Sequence, residues 1–255
     1  ASFGLVCSIA LIFAGAVGGQ GENAGAGGKV LLEGLEIEFT QGAIIGSESL
    51  GAGRGGDVTL KASTGVIRFS GANADGDRSR VLTTSESEAP DAGDAGNIAI
   101  EAQTIVFENG GGVAASTLGP GTAGTIDIAA DRLHIAGGGV ISSSSNNTGA
   151  GGAAGAIAIQ VEGPVTLSDS GVVISTETVG QGAAGDIRIE AGSIAVQRDA
   201  AISSASRNTG AAGDAGAIAI TSSGNISIME NGAVTTEAVN AGGGRMAIDS
   251  GGMLL

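Results

Sequence analysis

The sequence predicts an all-β protein, a parallel β-helix with three strands per rung and about eight rungs of roughly 30 residues. Three observations carry this. The phrase Gly-x-apolar-x-apolar opens at Gly28, Gly56, Gly96, Gly124, Gly155, Gly185, Gly216 and Gly244, at intervals of 28, 40, 28, 31, 30, 31 and 28 residues, the period of a stacked repeat. Each phrase is followed by a second alternating apolar pair and, in most repeats, by another apolar residue six positions beyond it, so columns recur from repeat to repeat. Helical periodicity is weak throughout.

Composition narrows the class. Gly supplies 49 of 255 residues, with five Phe and no Trp or Tyr, so a core that would ordinarily draw bulk from aromatic rings must be built from thin layers of Val, Ile and Leu. The 42% apolar content and its strand periodicity separate the chain from a disordered glycine-rich linker. With a net charge of −15 and 11 Lys and Arg, the clustered cations that nucleic-acid phosphates require are missing. Such acidity suits a surface that repels its own copies and collects divalent cations. A single Cys, Cys7, excludes an internal disulfide framework and a multi-cysteine metal site.

The chain is expected to be one solenoid over residues 1–255. Residues 1–27 read as a partial, apolar first rung, with Ile9 and Leu11 on a second strand, Val17 on a third, and Ala10, Ile12 and Phe13 outward. No Lys or Arg precedes Lys29, so this run lacks the basic start of a signal peptide. Gly4-Leu5-Val6 lacks the small residue expected before a lipid-modified Cys7. No integral membrane span is expected.

In each later repeat the strand after the glycine leads to a second one, carrying pairs such as Ile37/Phe39, Ile67/Phe69, Ile105/Phe107 and Leu133/Ile135. The third strand is placed by Ile45, Val113, Ile141, Val173, Ile202 and Val234 facing inward, followed two residues on by a small or hydroxylic column of Ser47, Ala115, Ser143, Ser175, Ser204 and Thr236. Those hydroxyls are expected to bond to one another along the stack. The glycines are expected to supply turn conformations that a Cβ would obstruct.

The 40-residue interval marks the one irregular rung. Gly71 to Arg78 is an insertion, followed by an acidic loop with Glu86, Glu88, Asp91 and Asp94, so residues 71–94 are where a site is expected. The chain also begins and ends inside a rung. An open β-helix end is an edge unless it is capped or continued, which predicts a homo-oligomer or end-to-end filament, or continuation in a longer chain.

Candidate chemistry is sparse. Gly51 to Gly56, Gly119 to Gly124 and Gly180 to Gly185 match G-x-G-x-x-G, but each runs into a strand, where a dinucleotide site needs a helix; they read as loops between rungs. Asn73, Asp75 and Asp77 set three oxygen-bearing side chains on alternate residues around Gly76, a candidate calcium loop that lacks a later bidentate Glu; no other cofactor is suggested. A polysaccharide-active enzyme would need acids gathered around outward Arg68, His134 or Arg188, yet no acidic column repeats over adjacent rungs, and no catalytic residue is assigned. An ice-binding face would need Thr at matching outward positions; Ser142, Ser144, Thr176, Ser203 and Thr235 are interrupted by Gly46, Ala114 and Ile174.

The phrases Gly213-Asp214-Ala215-Gly216-Ala217-Ile218-Ala219-Ile220 and Gly182-Ala183-Ala184-Gly185-Asp186-Ile187-Arg188-Ile189, with the third strands Ile202-Ser203-Ser204-Ala205-Ser206 and Val234-Thr235-Thr236-Glu237, resemble the repeats of filamentous-haemagglutinin-like exoproteins of two-partner secretion. The resemblance covers about Gly28 to Leu255. It implies a right-handed β-helix, export across an outer membrane, and a non-catalytic adhesive or filament-forming role at the bacterial cell surface, facing a host or neighbouring cell. The family's N-terminal secretion domain is not found in these residues. Two other readings are a calcium- or receptor-binding adhesin module using residues 71–94 and a polysaccharide-active β-helix enzyme.

Overall fold

The computed structural model describes residues 5–8, 11–14 and 25–255. Its first coil holds β1 (Leu5–Ser8) and β2 (Leu11–Phe13), and the next holds β3 (Val30–Glu33), β4 (Glu36–Thr40) and β5 (Ile44–Ser49). Five coils then share one plan, a long strand and a short one: β6 (Val58–Ser70) with β7 (Arg80–Ser85), β8 (Ile98–Glu108) with β9 (Gly112–Thr117), β10 (Ile126–Ala136) with β11 (Val140–Ser145), β12 (Ile157–Ser168) with β13 (Val173–Thr178), and β14 (Ile187–Gln197) with β15 (Ala201–Ser206). β16 (Ile218–Ser222), β17 (Ile226–Ile228), β18 (Ala233–Ala238) and β19 (Met246–Ser250) complete the path.

Every one of these strands pairs in parallel with its counterpart in the neighbouring coil, which makes the fold a β-solenoid. An 11-stranded sheet runs from β1 to β19, and an 8-stranded sheet runs from β2 to β18. Parallel pairing across coils demands equal spacing of the inward residues, and the register supplies it: Ile126 lies between Ile98 and Ile157, and Ile141 between Val113 and Ile174.

Three strands per rung was the expectation; in five coils the first two run together as one strand that bends at a corner. The ladder barely breaks there, with register shifts only between Ala62 and Val66, Ala130 and Leu133, and Val161 and Pro164.

The interior is made of columns. Val58, Ile98, Ile126, Ile157, Ile187 and Ile218 are all fully or nearly fully buried, as are Leu60, Ile100, Ile128, Ile159, Ile189 and Ile220 behind them. Each such side chain contributes roughly 1.5–3 kcal/mol relative to exposure. On the second face Phe39, Phe69 and Phe107 stack ring on ring, with centroids 4.5 Å and 4.9 Å apart, and the column continues as Ile135, Leu167 and Val196.

The organising glycines have a different reason from the one expected. None of the eight adopts a left-handed φ. Instead the seven from Gly56 onward each stack on the glycine of the coil before, and Gly28 lies against Ala14: a Cβ at Gly124 would overlap the carbonyl oxygen of Gly96, and one at Gly185 that of Gly155. The left-handed conformations sit elsewhere, in the turn between the second and third faces, at Asn109 and Gly110, Gly137 and Gly138, Arg198 and Asp199, and Glu230 and Asn231.

The expected register of the third face, and the expected partners of its hydroxyls, are corrected. In the coil of β12 the turn carries one extra residue, Asp169-Ser170-Gly171 with φ of 89° at Asp169, so Val172, Ile174 and Thr176 face inward while Val173 and Ser175 face out. The hydroxyl column is therefore Ser47, Thr83, Ser143, Thr176, Ser204 and Thr236, interrupted by Ala115. Its hydroxyls bond across to the glycines rather than along the stack: Ser47 donates to Gly28 at 2.6 Å, Thr83 to Gly96 at 2.6 Å and Ser143 to Gly124 at 2.9 Å.

In the first coil, β1 lies on the second face and β2 on the third. Ile12 pairs with inward Ile45 and packs on the core, so it is not an outward residue. Ile9, Ala10 and Val17 lie outside the described residues.

Candidate functional site

The insertion after Phe69 is the longest departure from the regular coil among the described residues. Gly71 turns at φ 77°, and Ala72 bridges Arg78 in antiparallel fashion, so the segment is a short self-closed excursion. Ser79 anchors its return: the side chain is buried, donates to the Ser70 carbonyl at 2.9 Å and accepts the Gly42 N–H at 3.1 Å. Val81 then resumes the core column, fully buried, as expected.

Within it, Asn73 Oδ1 accepts the backbone N–H groups of Asp75, at 3.0 Å, and of Asp77, at 2.8 Å. Asn73 Nδ2 donates to Asp77 Oδ2 at 3.0 Å, and the Asp75 and Asp77 side chains are exposed. Asn73, Asp75 and Asp77 thus lie together, but the asparagine oxygen that a calcium ion would want is committed to the turn. Among the described residues no group of three or more His, Cys, Asp or Glu is gathered so as to hold a metal ion.

Glu86, at the start of the acidic loop that follows, donates its N–H to the Ser49 carbonyl and stands near Glu48. Burial pushes the Glu48 carboxyl above its ordinary range, and the Glu86 charge pushes it the same way. Nearby, burial raises Asp57, but the Arg54 hydrogen bond, the Asn97 N–H, the Arg54 charge and the Lys29 hydrogen bond outweigh it and hold the carboxyl below its usual value. Arg54 reaches Asp57 Oδ1 at 2.8 Å and Lys29 reaches Oδ2 at 3.5 Å.

The residues weighed for catalysis are not brought together. Arg68 and His134 share an outward column with Val106 between them, while Arg188 is on the first face. Arg68 is held between Glu108 at 2.9 Å and Glu38 at 3.8 Å, and Arg188 pairs with Glu190. His134 is exposed.

Sequence reading missed a groove of about 560 Å³ at the corner between the first and second faces, whose walls include Ser63, Glu101, Asp131, Gln160, Glu162 and Glu190. Ser63 donates to Glu101 at 3.0 Å, and Lys61 stands 3.8 Å from it. Asp131 and Glu162 are corner residues, outside the two-residue alternation that reveals a column.

On the third face, the corrected register sets Ser142, Ser175, Ser203 and Thr235 in one outward column, with Ser175 and Ser142 hydroxyls 3.4 Å apart and Thr235 and Ser203 3.2 Å apart. Ile174 and Thr176 leave that set. Gly46, Leu82 and Ala114 occupy the same column in earlier coils, so no regular Thr array forms.

Each G-x-G-x-x-G stretch leads into a strand, at Val58, Ile126 and Ile187, as expected. Among the described residues no helix is long and apolar enough to cross a membrane. The chain matches no protein-family model, no curated protein and no solved structure, and what its own residues establish is a β-solenoid of stacked parallel coils.

Proposed function

We propose that the chain is a non-catalytic structural or adhesive rod, part of an extracellular fibre at a bacterial cell surface, as the resemblance to filamentous-haemagglutinin-like repeats implies. One observation carries the reading. What repeats from coil to coil is the set of residues that join the coils, namely the glycine stack, the inward apolar columns and the hydroxyls bonded to the glycines. The outward columns vary, as in Glu38, Arg68, Val106, His134 and Thr166. Selection for regular stacking with a freely varying exterior suits a spacer that holds something at a distance. The charge of −15 keeps such rods apart sideways.

Electron microscopy of the purified chain over a range of concentrations tests the filament part. Fibres with an axial repeat of about 4.8 Å support end-to-end assembly, whereas isolated rods roughly 40 Å tall at every concentration assign it to a segment of a longer fibre. Adhesion is tested by coating beads and measuring retention on bacterial or host cells under flow; retention equal to albumin-coated beads counts against it. Release of reducing ends from a panel of polysaccharides would overturn the non-catalytic reading.

A second reading uses residues 71–94 as a recognition loop for a receptor or calcium. It is favoured by the loop's own bracing through Asn73, which lowers the ordering cost of binding. Calorimetric titration of the full chain with calcium chloride separates the two: heat that disappears in Asp77→Asn supports calcium, and no heat leaves receptor contact as the loop's role.

A further inference from the structure

We infer that the pocket framed by Arg78 and Arg80 is a binding site for an oxyanion group, a carboxylate or a sulfate, borne by a partner of this surface. The pocket is about 130 Å³ and is lined by the two arginines, Gly110, Gly112, Ala114 and Val140 among others. It exists because of an absence of side chain. Arg80, Gly112 and Val140 occupy successive coils of one outward column on the third face, so the position between the guanidinium and the valine holds only a backbone. That leaves an opening two coils, or roughly 10 Å, across, the span of one acid group with its hydrogen-bond partners.

The arginines are placed by the insertion. Buried Ser79, between them, fixes the chain where it returns to the third face. Arg78 lies over Gly110, where a Cβ would come within 2.9 Å of its Cδ and 3.0 Å of its Nε. Gly110 has φ 81°, a second reason for glycine at that floor position.

Two features point to a ligand rather than to a solvated pair of charges. In a chain with 26 acids to 11 bases, Arg54, Arg68, Arg188, Arg198 and Arg207 each have a carboxylate within 4 Å; Arg78, Arg80, Arg132 and Arg245 do not among the described residues, and of these four Arg78 and Arg80 are the pair that lines this pocket. Arg80 Nε is also closed off from solvent without a hydrogen-bond acceptor in the protein, and a buried charged donor left in that state is costly. Asp77, next to Arg78 in the chain, receives Asn73, and Glu108, two residues before Gly110, receives Arg68. A planar guanidinium offers paired donors that match a carboxylate or sulfate edge.

The test follows the arginine Nε–H resonances of the ¹⁵N-labelled full chain while sodium sulfate, and separately sodium glucuronate, is added at constant ionic strength. Saturable shifts at Arg78 and Arg80, with Arg132 and Arg245 unmoved, are expected for at least one anion, and the anion that saturates names the source. Arg80→Gln should abolish the shift at Arg78, and Arg80→Lys should weaken binding about tenfold, with circular dichroism confirming the fold of both. Neither anion saturating, all four arginines drifting together, or Arg80→Gln binding unchanged would each overturn the site. Because this readout involves neither adhesion nor assembly, it stands or fails apart from the fibre reading.

Discussion

Thr176 Oγ1 donates to the carbonyl oxygen of Gly185 at 2.6 Å, tying the third face of one coil to the residue that opens the next. Ser204, one coil further on, donates to the same oxygen at 3.0 Å. One glycine carbonyl thus collects hydroxyls from two coils, while its Cα lies against Gly155 with no room for a side chain.

Two glycines separate crowding from conformation. Gly124→Ala places a methyl on the Gly96 carbonyl and is expected to cost more than about 3 kcal/mol. Gly138→Ala has open space around the new methyl and only its φ of 79° against it, so about 1–2 kcal/mol is expected. Urea unfolding of the two variants checks the order.

The aromatic column is loaded at its centre. Phe69 stacks on Phe39 and on Phe107, so Phe69→Ala opens a cavity in the middle of the column and is expected to cost about 3–5 kcal/mol. A midpoint shift in denaturant no larger than that of a surface substitution would show that the coils close over the gap.

The extra turn residue before Val172 is testable by polarity. Val172→Thr buries a hydroxyl at a fully buried position and should destabilise by about 1–3 kcal/mol. Val173→Thr changes an outward residue and should stay within about 0.5 kcal/mol. The register first read from the sequence makes the opposite forecast for thermal unfolding of the pair.

Stability should depend on pH in two opposed ways. Glu48, raised by burial and by Glu86, keeps its proton to a higher pH when folded than when unfolded. Its contribution therefore falls as pH rises from the ordinary glutamate range through the raised value, and Glu48→Gln should be more stable than the parent at neutral pH and equal to it in acid. Asp57 has a lowered folded value, so its contribution is present above the ordinary aspartate range and lost as pH falls through the lowered one. Asp57→Asn should weaken the protein at neutral pH and not at low pH. Melting curves from pH 3 to pH 8 distinguish the two slopes.

Most of the architecture was legible because a stacked fold writes the same constraint at every coil. Phe39 and Phe107 each stand 11 residues after their glycines, Gly28 and Gly96, and Phe69 stands 13 after Gly56, one alternation more, so all three keep the inward parity of one column. What escaped was set by turns and by space between coils. Val173 looked inward because the spacing after Ile135 was carried to Leu167, where one added residue reverses every later side chain on that strand. Arg80 carries no signal of a site in the sequence, since its pocket depends on Gly112, 32 positions away in sequence and one coil away in space. The glycine requirement was found but misassigned, because sequence cannot separate a strained φ from a close approach.

Because the strands run around the rod, the hydrogen bonds that join one coil to the next lie along its length. A pull from end to end therefore loads these ladders in series, and an outermost coil can peel while those behind it hold. Each coil of 28 to 31 residues in the regular part would release about 100 Å of chain as it lets go, so a tether built this way would yield in measured lengths, dissipating force without parting.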